Sequence, residues 1–243
     1  MKHALFATVS AVALGAGAAA VVGLRPRRNT RRGCPQPPRI PERRPEPRRT
    51  EQEGSPEETL RKFLMYFIVP LWTASGVADW ICHFASDVET TTGPKESLIH
   101  ILMLTEAAVP TVAGLFLEIT APVLGLMITA FLLHQVTAYW DVSYAVTRRD
   151  VTPIEQHVHS YLEMVPLMAV SFATVLHWPQ FLSLAGLREE PADMTIRLKR
   201  DPLPTAYIAT VLSLLVLLEG LPYLVELGRG LWINDGHLVP DRG

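Results

Sequence analysis

Cysteine is nearly absent: Cys34 and Cys82 are the only two in 243 residues, too few for a disulfide framework. Charge is also scarce. Asp, Glu, Lys and Arg make up 19% of the chain, against about 25% in soluble domains. There is no Gly-Gly pair, no Gly-rich phosphate loop, no Gly-x-Ser-x-Gly elbow and no His-Glu-x-x-His helix. These absences argue against a disulfide-stapled secreted module, a P-loop nucleotide enzyme, an α/β-hydrolase and a zincin-type protease. What the chain has is apolar residue, at 49%. Its positive charge is concentrated in one place. Ten Arg lie between Arg25 and Arg49 against only Glu42 and Glu46, a local balance of +8, so with a net charge of -2 the rest carries about -10. No aromatic residue interleaves that Arg run, which speaks against nucleic-acid binding. The composition is that of an integral membrane protein with one basic segment.

Residues 4–24 form one Ala-rich apolar run long enough to span a bilayer. Residues 1–24 read as a signal anchor or a signal peptide, and the basic block RPRRNTRR that follows favours the anchor. Residues 25–58, with seven Pro by Pro47 and no hydrophobic period, read as a disordered Arg/Pro-rich linker. Its 25–49 Arg run is either a solvated topology determinant or a contact for anionic lipid headgroups. A helical transmembrane domain is predicted over 59–228 and a tail over 229–243. Within it, apolar stretches predict helices over 62–85, 95–117, 120–146, 154–184 and 204–227. Short links between the first four imply antiparallel neighbours. The expected fold is an all-α integral membrane protein: an antiparallel four-helix transmembrane bundle, one further C-terminal helix packed outside it or closing one side, and the N-terminal helix. Lys and Arg counts put the linker and 187–203 in the cytoplasm, with 86–94 and 147–153 on the opposite side.

The first four helices carry ionisable residues at helical spacing. Asp79 and His83 are four apart, as are Glu96 and His100; His134 and Asp141 are seven apart; Glu155, His159 and Glu163 follow at steps of four. Glu106 lies further along the second helix. In an antiparallel arrangement these sets fall at the same end. Each charge at a helix centre costs about 2.5–3.5 kcal/mol on insertion scales, so the set must pair, solvate a cavity or bind an ion. Carboxylates with imidazoles suit iron or zinc. Asp79, His83, Glu96, His100, His134, Asp141, His159 and Glu163 are the expected ligand pool for a mono- or dinuclear divalent site, with Glu106 or Glu155 as catalytic base or support. The spacing is Glu-x-x-x-His, one longer than the Glu-x-x-His of soluble di-iron bundles, so that analogy is architectural. Proton relay or structural pairing are the alternatives for the same residues. Glu219 in the fifth helix reads equally as a structural partner or as part of a pathway. His177-Trp178-Pro179 reads as an interface anchor. Cys82 points about 100° from His83 and is not counted as a ligand.

Several stretches between 69 and 166 carry a resemblance: Val69-Pro70-Leu71-Trp72, Ala78-Asp79-Trp80 with His83, Lys95-Glu96-Ser97 with His100, Trp140-Asp141, and Thr152-Pro153-Ile154-Glu155-Gln156-His157-Val158-His159-Ser160 with Glu163. Over this part the chain resembles a family of small bacterial multi-pass membrane proteins. Some members carry a diguanylate cyclase label, but the Gly-Gly-containing loop of such cyclases is absent here. The resemblance implies a multi-pass fold in a bacterial inner membrane and implies no activity. The expected function is a metal-dependent oxidoreductase or hydrolase acting on a lipid-soluble substrate. A proton- or cation-coupled transporter or sensor, and a non-catalytic assembly subunit, are the alternatives. The expected partners are the bilayer, the lipid-soluble substrate and anionic lipid.

Overall fold

The computed structural model describes residues 54–240. The expectations for 1–24, for most of 25–58 and for Cys34 lie outside the described residues. The described chain is all-helical, with no strand among the described residues and five helices long and apolar enough to cross a membrane. These are α1 (Pro56–Ala85), α2 (Pro94–Phe116), α3 (Ala121–Ala145), α4 (Pro153–Leu176) and α5 (Thr205–Ile233). The first four each begin with a proline in the first turn, where its missing N–H costs nothing. Ser55 caps α1 by accepting from Glu58 N at 3.1 Å, and Thr152 caps α4 by accepting from Glu155 N at 3.2 Å. Gly93 opens α2 at φ 76, and a Cβ there would lie 2.3 Å from Pro240 Cδ, so only glycine fits.

Three boundaries differ from the sequence expectation. Helix α1 starts at Pro56 rather than 62, because Ser55 caps its first turn and the acidic Glu57 and Glu58 suit the positive end of the helix dipole. The predicted 154–184 helix is two. It breaks at His177 (φ -117, ψ 37), and a short helix, Trp178–Leu184, restarts with Pro179 in its first turn. Pro179 has no N–H for the Val175 carbonyl, so the helix ends before it. Helix α5 continues past 227 to Ile233.

Two helices contain a π-helical stretch, Leu64–Ile68 in α1 and Leu215–Gly220 in α5. Each ends two residues before a proline, Pro70 and Pro222. A proline removes one backbone donor and pushes away the carbonyl four residues back, and the ladder widens locally to i→i+5. Tyr207 Oη donates to one carbonyl of the first stretch, Met65 O, at 3.1 Å.

Helix α2 packs along α3 and α5, α1 along α4 and α5, and α3 also touches α4. Large apolar side chains face outward, among them Val136 (68% exposed), Tyr139 (78%) and Trp232 (85%). Such a surface suits lipid rather than water. The interior is polar at one end: Asp79, His83, Glu96, His100, Asp141, Glu155, His159, Glu219 and Glu226 are all buried.

Candidate metal centre

The polar end is assembled by connection geometry. The end of α1, the start of α2, the end of α3 and the start of α4 lie together because the 86–93 and 146–152 links are short. The one-face offsets then turn each carboxylate–imidazole pair inward.

Asp79 is the hub. Its Oδ1 lies 2.9 Å from His159 Nε2, and its Oδ2 lies 3.1 Å from His100 Nε2 and 3.6 Å from His83 Nε2. Asp79, His83, His100 and His159 each offer one donor atom, and the four atoms lie within 4.8 Å of one another. Donors about 2.0–2.2 Å from one ion stand roughly 3–4.4 Å apart, so the four are close enough to converge on one ion with small side-chain shifts. Asp79 Oδ1 and the Nε2 atoms of His83, His100 and His159 are buried, and none has an aligned hydrogen bond. Their close contacts are with one another, so an ion between them would satisfy all four at once. This cluster could hold a metal ion.

The surrounding groups leave those nitrogens free. His100 Nδ1 lies 3.1 Å from the Glu96 carbonyl, which has no proton to give, so Nδ1 carries the hydrogen and Nε2 of the neutral ring keeps its lone pair. His83 Nδ1 lies 3.3 Å from both carboxylate oxygens of Glu226, with the same consequence. Ser97 Oγ donates to Glu226 Oε1 at 2.6 Å and fixes it. Tyr223 Oη donates to Asp79 Oδ2 at 2.9 Å, and its ring stacks on His100 at 5.1 Å between centroids. Metal-binding imidazoles are typically supported in this way, by a carboxylate or carbonyl on the far nitrogen. Asp141 Oδ1, 3.5 Å from His100 Nδ1, stands in the supporting layer.

A second cluster adjoins the first. His83, Glu96 and Glu155 also bring donor atoms within 4.8 Å. Here a protein cation is already present. Arg149, in the 146–152 link, donates to Glu96 Oε1 through Nη2 at 2.7 Å and to Glu155 Oε2 through Nη1 at 2.9 Å. Burial works against the guanidinium's charge, but the Glu155 and Glu96 carboxylates hold its pKa above the ordinary arginine value. Glu155, the expected base, is thus bound to Arg149.

The remaining expected residues lie deeper. His134 is seven residues from Asp141 along α3, about 10 Å. Its Nδ1 is 3.8 Å from Glu106 Oε2, an oxygen without a hydrogen bond among the described residues. Glu106 Oε1 accepts from Thr137 at 2.8 Å. Glu163, His100, His134, His159, Glu219 and Tyr223 line a cavity of about 50 Å³, room for a few waters. His83 is not in its wall. The fifth helix contributes Glu219, Tyr223 and Glu226, at steps of four and three on one face. Only Glu219 is singled out by the sequence reading; that periodicity was the available signal for the other two. Arg149 had no such signal, since a loop's path leaves no period in the sequence. Compared with known proteins, the chain matches no family model, no curated protein and no solved structure.

Proposed function

We propose that this protein is a multi-pass membrane metalloprotein in which Asp79, His83, His100 and His159 hold a single zinc or iron ion and which acts as an oxidoreductase or hydrolase on a lipid-soluble substrate. The observation that carries this reading is the convergence of four buried donor atoms lacking aligned hydrogen bonds. Six carboxylates, Asp79, Glu96, Asp141, Glu155, Glu219 and Glu226, are buried at this end with the guanidinium of Arg149, so added positive charge lowers the cost of burial. One ion is favoured over two because the Arg149 guanidinium already occupies the space between Glu96 and Glu155. When bound, such an ion supplies Lewis acidity, a bound water of pKa about 7, or dioxygen activation. The chain's own residues do the rest. Glu226 and the Glu96 carbonyl orient His83 and His100, and Tyr223 orients Asp79. The adjoining 50 Å³ cavity brings water or a substrate group beside His100 and His159, with Glu219 and Glu163 in reach for proton transfer. In this reading α1–α4 act as an antiparallel bundle in a bacterial inner membrane, with α5 closing the site and the N-terminal segment as anchor.

The test is elemental analysis of protein purified in neutral detergent, with its electronic spectrum. About one zinc or iron per chain is expected. His83→Ala and His159→Ala lose most of it, while His177→Ala, at the far end of α4, retains it. Glu226→Gln keeps the fold and weakens metal affinity by about 10–100-fold. Folded, metal-free protein that gains no thermal stability from added zinc or iron would overturn the metal reading. The same residues would then serve as a proton or cation relay.

A further inference from the structure

Towards the other end of the helices lies a second cavity of about 610 Å³. That is within the roughly 300–1,000 Å³ of small-molecule sites. It is long. Its wall on α3 extends to His134 from Thr120, the residue preceding that helix, about 21 Å at 1.5 Å per residue. The walls are apolar, built from side chains such as Leu64, Ile68, Leu115, Phe131 and Val170. The π-helical stretch of α1 supplies two of these, so the widened ladder shapes the cavity. At its inner end stand Glu106, His134 and Trp72. Trp72, Ala107 and His134 also line the smaller cavity beside the candidate metal centre, so the two cavities meet at these residues.

The outer end is basic. Arg61, Lys199, Arg200, Arg197 and His177 line it, with Glu118 and Asp201. Glu118 is committed: its Oε2 pairs with Arg197 at 3.3 Å and its Oε1 accepts from Arg200 N at 3.2 Å. The side chains of Arg61 and Arg200 form no ion pair among the described residues, and Lys199 Nζ donates only to Leu117 O, at 2.9 Å. Burial and Arg61 push the Lys199 pKa down; burial, Lys199 and Arg61 do the same to His177. Positive charge is therefore in local excess. The loop that carries it is pinned: Glu118 N donates to Arg197 O at 3.0 Å, Lys199 N to Phe116 O at 2.9 Å and Thr120 Oγ1 to Thr195 O at 2.7 Å.

We infer that this cavity binds a single-chain anionic amphiphile, with a phosphate-type headgroup on Arg61, Lys199 and Arg200 and the tail directed inward past Phe131 to His134. The binding rests on the cavity alone; its role as the substrate class rests on the metal reading above. Together they place the reacting atoms on the tail, since the headgroup is held at the end away from Asp79. Glu106 and His134, polar groups at the inner end, then meet the tail's terminal carbons or a polar group carried there.

The experiment uses the full chain in phosphatidylcholine nanodiscs and follows tryptophan fluorescence. The probe is dodecyl phosphate brominated at its terminal carbon, which quenches only a nearby indole. Saturable quenching is expected, lost in Trp72→Phe. The triple variant Arg61→Gln/Lys199→Gln/Arg200→Gln weakens it about tenfold or more, the cost of removing charged hydrogen-bond donors. Arg188→Gln, on the same loop but outside the cavity wall, leaves it unchanged. Brominated dodecanol binds at least about tenfold more weakly, and inorganic phosphate at equal concentration does not compete. Quenching that never saturates, that survives in Trp72→Phe, or that is equal for the alcohol and in the triple variant would overturn the inference. So would displacement by inorganic phosphate, which would make the mouth a phosphate site with no tail. The measurement needs no metal and no activity, so its failure and that of the metal reading are separable.

Discussion

A guanidinium between two buried carboxylates is held by both and needed by both. Arg149 reaches Glu96 and Glu155 through its three guanidinium nitrogens, and its side chain is only 4% exposed. Arg149→Met would leave two carboxylates buried without their cation, at a cost of about 3–5 kcal/mol. Thermal unfolding in detergent should show a large loss of stability. Adding Glu96→Gln and Glu155→Gln to that variant should recover part of it, because neutral amides carry less burial cost. A triple variant no more stable than the single one would mean that Arg149 acts through packing rather than charge. The same residues show how far the site could be read from sequence. Asp79 with His83, Glu96 with His100 and Glu155 with His159 stand out because a four-residue step is visible in any apolar helix. Arg149 does not stand out, because nothing in the 146–152 loop distinguishes an arginine folded inward from one facing water. Which donors share one point and which merely support it was also hidden. Asp141 and His100 differ there only by side-chain direction, and Glu163 and His134 by depth.

At the scale of elements, the α1–α5 contact turns on one glycine. A Cβ on Gly76 would lie 2.0 Å from Glu219 Oε2, so the carboxylate occupies the space that glycine leaves. Tyr223 Oη lies 3.3 Å from the Gly76 carbonyl, which ties the helices at the same level. Gly76→Ala should displace Glu219 and destabilise the protein by about 1–3 kcal/mol, the usual cost of overpacking. Glu219→Ala alone should cost less. The double variant should be more stable than Gly76→Ala, giving a coupling energy measurable in a double-mutant cycle. Additive effects would show that the two residues do not meet. Most element boundaries were legible, since Pro94, Pro122 and Pro153 each sit in the first turn of a helix directly after a short link. The π-helical stretches were not. Pro70 and Pro222 announce a disturbance in the ladder, but whether it becomes a kink or a widened turn depends on neighbours such as Tyr207. The break at His177 was missed because the apolar run continues across it.

For the whole molecule, the structure changes the charge count that sets orientation. The 146–152 link carries Arg148 and Arg149, but Arg149 is turned into the protein. Lys95, at the start of α2, lies 4.3 Å from the Tyr144 ring centre rather than free in solvent. The site end of the helices therefore presents little free positive charge. The opposite end carries Arg188, Arg197, Lys199 and Arg200 on the 187–203 loop. Positive charge near helix ends favours the cytoplasmic side, so the basic cavity mouth should face the cytoplasm and the candidate metal centre the opposite face. Reporter fusions test this. A green fluorescent protein joined after Glu189 should fluoresce, and one joined after Arg148 should stay dark, while an exported phosphatase at the same points gives the inverse pattern. Reversed signals at both points would invert the orientation and leave the spans intact. Equal signals would mean that α4 does not cross the membrane. That helix would then have to bury Tyr161, Met164 and Val175 against another protein, not lipid.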